Sequence, residues 1–338
     1  MKRKALYILP DGKTLSAKGL RLFVGNRSVG KLPAPAWKRV LSHSQLASRL
    51  FRIEPRCAGK LDDTRYLVGA SGAVWLLDTQ TGALKEATKF RPGWSAPLCF
   101  CHDGHCAYWG DYGANALSEE VNVYRMSPHG EVKTVYSFPL GTVRHIHGIV
   151  WDREQRLFYV FTGDLEPTAG IYTATEDWSE VRPLLTGSQQ YRAVVGFPTT
   201  HGLLYATDSV ESANHIYLAR GGKAEVLSDF PGSCIYGCET LTHYLFSSTV
   251  EPPEGRGLLD LFSYRLGAGI RDRRAHLVAV RKRDLHIEEL LSVKKDWLPM
   301  KLFQYGALTF PGGQERCRHA VYNIVACKGD GRTKVISL

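Results

Sequence analysis

Two histidines one residue apart, His145-Ile146-His147, follow directly on Arg144, and a Tyr191-Arg192 pair lies further along the chain. On an extended strand residues i and i+2 point the same way, so both imidazoles face one surface. Imidazole exchanges its proton near neutral pH, and guanidinium neutralises an anion permanently. Such a set suits removal of a proton α to a carboxylate. Arg192 or Arg144 would neutralise the acid group, His145 or His147 would take the proton, and Tyr191 or Tyr236 would protonate the leaving oxygen. A buried pair of hydrogen-bonded histidines is the structural alternative. A second set consists of Asp111, Asp164, Asp208 and Glu251, each closing a short apolar run. Paired carboxylates serve glycoside hydrolysis, but an Asp at a strand end equally caps the next turn. We expect His145, His147, Tyr191 and Arg192 to be catalytic. Arg144, Asp111, Asp164, Asp208, Tyr236, Glu251, Gln304 and Tyr305 are expected to bind substrate.

Residues so far apart in sequence meet only if a repeated element brings them together. Three consecutive stretches show that repeat, each with four β-type runs divided by turn residues. The first includes Cys106-Ala107-Tyr108-Trp109-Gly110-Asp111, the second Leu157-Phe158-Tyr159-Val160-Phe161-Thr162, and the third Leu203-Leu204-Tyr205-Ala206-Thr207-Asp208. Their first strands are expected at Pro97–Cys101, His145–Trp151 and Tyr191–Phe197. The period of about 45–50 residues is that of a propeller blade. Asp103-Gly104 supplies the positive φ of a tight hairpin.

Tyr236 and Tyr244–Glu251 begin a further unit, whose third strand, His276–Val280, is delayed by an insertion over 252–275. Phe303–Phe310 opens another unit, and Thr64–Val68 with Ala73–Leu77 belong to an earlier one. The expected fold is all-β: one domain over 1–338, a β-propeller of four-stranded antiparallel blades, seven in number with six as the alternative. The N-terminal strand near Leu6 is expected to close the ring with the C-terminal strand. Pro33–Arg49 reads as helix or loop. In a propeller the innermost strand of each blade lines the channel and the second returns antiparallel to it. First-strand starts and second-strand ends therefore share one face, with the four carboxylates at matching positions.

The bulk properties bound the function. Hydrophobic residues make up 44% and charged residues 22% of 338, which is globular composition. The formal charge of +10 favours an anionic partner, whether glycan, acidic protein or nucleic acid. No apolar run reaches the roughly 20 residues of a membrane span. The apolar stretch after Met1-Lys2-Arg3-Lys4 is too short for a signal peptide, so the expected location is cytoplasmic. The eight cysteines are expected to be reduced.

His145-x-His147 offers two metal ligands, and Cys101, His102, His105 and Cys106 crowd one hairpin, with Cys101 and Cys106 expected to face each other. Zinc wants four such ligands in tight geometry. The reading taken is a reduced structural pair and no cofactor, with structural zinc as the alternative. Gly267-Ala268-Gly269 does not sit between a strand and a helix, as a phosphate loop would. Arg271-Asp272-Arg273-Arg274 and Arg281-Lys282-Arg283 read as a solvated strand edge, so nucleic acid is set aside.

At Arg144-His145-Ile146-His147-Gly148, Thr162-Gly163-Asp164, Gln190-Tyr191-Arg192-Ala193-Val194, Thr207-Asp208-Ser209 and Phe303-Gln304-Tyr305-Gly306 the chain resembles bacterial sialidase-like (BNR/Asp-box type) β-propeller proteins. These are associated with polysaccharide gene clusters. The resemblance spans roughly residues 90–315. It is similar, more distantly, to seven-bladed polysaccharide lyases and rhamnosidases that use His, Tyr and Arg in a central cleft. Phe51-Arg52-Ile53-Glu54-Pro55 approximates the sialidase Phe-Arg-Ile-Pro motif, and Thr175-Glu176-Asp177-Trp178 is a decayed Asp box. The resemblance implies a carbohydrate-active propeller that binds or cleaves an acidic, uronate-containing polysaccharide or oligosaccharide, as a lyase or glycosidase. The alternative is a non-catalytic scaffold for protein partners in polysaccharide assembly.

Overall fold

Apolar residues fill the second strand of each repeat almost without interruption, because that strand is covered on both faces by the neighbouring blades. Leu157–Gly163 and His243–Ser248 are buried along nearly their whole length. The outermost strands meet solvent and turn polar, as in Leu84–Lys89 and Lys223–Phe230. The computed structural model describes residues 2–338 apart from 165, 256 and 258.

Seven antiparallel sheets form the blades of a β-propeller. Their innermost strands are Lys4–Ile8, Cys57–Lys60, Cys101–His102, His145–Asp152, Ala193–Thr199, Cys234–Glu239 and Ala307–Thr309, for blades 1 to 7 in order. From blade 1 to blade 7 each inner strand touches the next, and Lys4–Ile8 touches the second strand of blade 7, His319–Val325. Blades 1 to 6 carry four strands, and blade 7 carries three among the described residues, ending with Thr333–Ser337. Aromatic side chains fill the gaps between blades, as where Phe158 packs with Trp178 at 4.9 Å and with Tyr108 at 4.7 Å between ring centroids.

Lys4–Ile8 is the innermost strand of its own blade, not a strand lent to the last one. Blades 1 and 7 are joined by side-chain and loop contacts. Asn323 Oδ1 accepts from the Ala5 N–H at 2.9 Å, and its Nδ2 donates to the Ala5 carbonyl at 3.0 Å. The Ile8 N–H donates to the Gly312 carbonyl at 2.8 Å.

Three strand starts differ from the sequence pattern: blade 3 begins at Cys101 rather than Pro97, blade 5 at Ala193 rather than Tyr191, and blade 7 at Ala307, after the helix Met300–Phe303, rather than at Phe303. Gln189–Tyr191 forms a 3₁₀ turn capped by Ser188, so the blade-5 strand begins at Ala193. In blade 3, Trp94–Ser95 pairs with Tyr112–Gly113 as a separate two-stranded piece. Pro33–Arg49 holds the helix Ala36–Leu41 and most of a second, Gln45–Leu50. The expected insertion 252–275 runs into the third strand, which begins at Arg274 rather than His276; before it the connection contains the 3₁₀ turn Leu259–Phe262. No helix among the described residues is long and apolar enough to cross a membrane.

Candidate functional site

The inner strand of blade 4 carries an extra residue. Ile146 pairs with Thr162 and Gly148 with Phe161, which leaves His147 as a bulge. The same irregularity recurs at Val194 in blade 5, Ile235 in blade 6 and Leu6 in blade 1. A bulge bends the strand and re-aims its side chains. Two residues before each bulge stand His145, Arg192, Ser233 and Lys4, a polar residue in each of four blades.

His145 and His147 are both buried, and their ring centroids lie 4.8 Å apart. His145 Nδ1 lies 2.6 Å from the Gly113 carbonyl oxygen and His147 Nδ1 2.9 Å from that of Ala193. A carbonyl only accepts, so each ring carries its proton on Nδ1 and turns Nε2 toward the site. The two Nε2 atoms meet one oxygen. Asp164 Oδ1 is 3.0 Å from His147 Nε2 and 3.4 Å from His145 Nε2. His145 Nε2 is buried and makes no hydrogen bond.

Arg192 completes the group. Its Nη2 lies 3.2 Å from the same Asp164 oxygen and 3.6 Å from Asp208 Oδ2, and its Nη1 donates to the Asp164 carbonyl at 3.1 Å.

These contacts fix charge states. Burial lowers the pKa of His145, which favours the neutral ring. Burial also opposes ionisation of Asp164, but when the Nε2 atoms of the two histidines are protonated, their hydrogen bonds and charge outweigh that and hold its carboxyl far below the usual range. Arg192 loses hydration, yet Asp208 and Asp164 hold its pKa above the ordinary arginine value. Glu251 behaves in the opposite way. Full burial, with Asp208 nearby, pushes its pKa up to about 8, although Thr249 Oγ1 donates to its carboxylate.

A second group lines a cavity that His145, His147, Asp164 and Arg192 do not line. Arg52 and Arg56 follow the helix Gln45–Leu50 and, with Tyr236, Gln304 and Tyr305, line a cavity of about 340 Å³. Neither arginine has a carboxylate within ion-pairing distance among the described residues. The Arg56 guanidinium lies 5.0 Å over the Tyr112 ring. The Tyr112 ring in turn sits 4.8 Å from His145, linking the basic wall to the histidines. Burial raises the Tyr112 and Tyr305 hydroxyls to about 12, so both stay protonated.

Of the expected residues, the structure brings together His145, His147, Asp164, Arg192 and Asp208, with Glu251 beside Asp208. Tyr236, Gln304 and Tyr305 lie on the cavity wall. Three others stand apart. Tyr191, at the end of the 3₁₀ turn, packs on the apolar cluster of Tyr159, Phe161, Tyr205 and Tyr217 between blades 4 and 5. Arg144 Nε donates to the Ala114 carbonyl at 2.8 Å. Asp111 pairs with Arg91 Nη1 at 3.0 Å and accepts from the Asn122 N–H at 3.1 Å, as a strand-end cap does.

Nor do the carboxylates share one ladder position. The Asp208 N–H donates to the Arg192 carbonyl, whereas Gly163 is the residue paired with His145 and Asp164 lies one further on. Cys101 pairs with Tyr108, so it does not face Cys106. Both nitrogens of His102 are engaged, by the Leu61 carbonyl and the Gly104 N–H. The basic run is locally paired, Arg271 with Glu289, Arg281 with Asp284 and Lys282 with Glu239.

Sequence reasoning missed Tyr112, Arg52 and Arg56 as site residues. Arg52 did carry a signal, since it sits in the Phe-Arg-Ile segment.

No protein-family model matches the chain. No curated protein matches it either. Solved structures do. An oligogalacturonate lyase from Vibrio parahaemolyticus is similar with a TM-score of 0.63 at 10% identity, over 99% of this chain and 90% of that one. An oligogalacturonate lyase in complex with manganese gives 0.60 at 10% identity, over 100% and 90%. A chain of the mitotic checkpoint complex gives 0.57 at 8% identity, also over 100% and 90%. At these identities the likeness is one of fold, and propellers host many activities.

Proposed function

We propose that the protein binds an acidic, uronate-containing saccharide in the central cleft and cleaves it there by elimination. The observation that carries this reading is the chain of contacts from a basic cavity to the histidine cluster: Arg52 and Arg56 line the cavity, and Arg56 lies over the Tyr112 ring, which packs on His145. Removing the proton α to a uronate carboxylate builds negative charge on that carboxylate, and arginines at its edge stabilise the charge as it forms. The neutral His145, with a free Nε2, and the protonated Tyr112 beside it are placed to take and give protons. The net charge of +10 steers anions toward the cleft. The fold shared with two oligogalacturonate lyases supports the substrate class.

The test is calorimetry with uronate and neutral oligosaccharides of equal length, with ultraviolet absorbance to follow unsaturated product. Binding confined to the acidic sugar, with absorbance rising, is the expected result. Equal binding of both sugars, or of neither, counts against it.

One observation favours hydrolysis as a second reading. Glu251 holds its proton to about pH 8 close to Asp208, which is how a general acid is prepared. Reducing ends that appear without unsaturated product would support it.

A further inference from the structure

We propose that His145, His147 and Asp164 form a binding site for one divalent first-row transition-metal ion. The inference rests on the geometry of three ligand atoms and does not depend on the saccharide reading.

Each histidine is prepared as a ligand. Metal-bound imidazole commonly donates its other N–H to a carbonyl or carboxylate, which fixes the tautomer and aims the lone pair. The Gly113 and Ala193 carbonyls do this for His145 and His147. The Asp164 carboxylate, within reach of both Nε2 atoms, offers lone pairs from the third side. Three electron-pair donors thus converge, all within 4.8 Å of one another.

Metal bonds of about 2.1 Å place neighbouring ligand atoms about 3.0–3.4 Å apart in octahedral or tetrahedral geometry. Two edges of the triangle already have that length, at 3.0 and 3.4 Å. His145 Nε2, buried and without a hydrogen bond, is the atom that an ion would satisfy.

The charge balance agrees. Two carboxylates, Asp164 and Asp208, face a single buried cation, Arg192. Two imidazoles and one carboxylate suit zinc, cobalt, manganese or iron better than magnesium or calcium, which prefer oxygen ligands. Three protein ligands leave coordination positions open toward the cleft. With the ion bound, the lone pair of His145 goes to the metal and no longer serves as the proton acceptor of the elimination.

The rival occupant is a proton shared between His147 and Asp164, and the test separates the two. Chelator-stripped protein is titrated with Zn²⁺, Co²⁺ and Mn²⁺ by calorimetry, with Co²⁺ also followed by visible absorption. One equivalent per chain is expected, with nitrogen-ligand d–d bands and a rise in Tm at saturation. His147→Ala and Asp164→Asn should weaken binding by at least about 100-fold, beyond the 10–100-fold typical of losing an outer-shell partner. His276→Ala removes a buried imidazole of blade 6, between Asp272 and Glu289, and should leave binding unchanged. If His147→Ala does not fold, His145→Gln serves in its place. No binding at millimolar metal, or full binding in the ligand variants, overturns the proposal. Either result would leave selective uronate binding intact.

Discussion

Gly163 lies against the His147 ring so closely that a methyl group on its Cα would stand 2.4 Å from the imidazole Cε1. The absence of a side chain at 163 is therefore what lets His147 reach Asp164. Gly163→Ala should push the ring away while leaving the ladder of blade 4 in place. We expect loss of most activity and metal affinity with a Tm drop of only a few degrees. Kinetics and thermal unfolding on one preparation check this.

Glu251 makes the fold sensitive to pH. Its carboxyl keeps its proton in the folded protein to about pH 8, whereas the unfolded chain releases it near its ordinary value of 4.5. Between these values the folded state binds more protons, so stability falls as pH rises. The loss is at most about 1.4 kcal/mol per pH unit. Glu251→Gln cannot ionise and should match wild type near pH 4. Its advantage in Tm should grow toward pH 8 and then level off, as measured by scanning fluorimetry in chelator.

The two uncompensated arginines should dominate recognition of the anion. Arg52→Ala and Arg56→Ala each remove a charge-assisted contact worth about 1.5–3 kcal/mol, which corresponds to roughly 10–100-fold weaker binding of a uronate oligosaccharide. Salt dependence of binding should fall in both. Neutral sugars should bind as to wild type. Calorimetry at two ionic strengths decides it.

Asn323 ties the last blade to the first through both polar groups of Ala5. Asn323→Ala leaves that buried N–H and C=O without partners, at about 1–3 kcal/mol each. Urea unfolding should shift to lower midpoint, with preferential early exchange of the amides of Lys4–Ile8.

The repeat was legible because second strands such as Leu157–Gly163 and His243–Ser248 are apolar on both faces, and only stacked blades demand that. The histidine pair was legible from the two-residue period of a strand. Tyr191 was not, because one 3₁₀ turn at Gln189–Tyr191 rotates it onto the apolar cluster while Arg192 keeps its aim. Arg52 and Arg56 were missed because they lie in the connection between blades 1 and 2, where no period applies. Tyr112 escaped because Tyr112–Gly113 leaves the blade-3 ladder to pair with Trp94–Ser95.

The extra residue at Leu6, His147, Val194 and Ile235 sits outside the pairing of its strand, so its side chain is not tied to the register of the ladder. Selection can exchange the chemical equipment of one blade without re-registering the sheet. Grafting the His-x-His segment onto the inner strand of blade 5 or 6 would transplant a donor pair around the axis, one blade-step at a time.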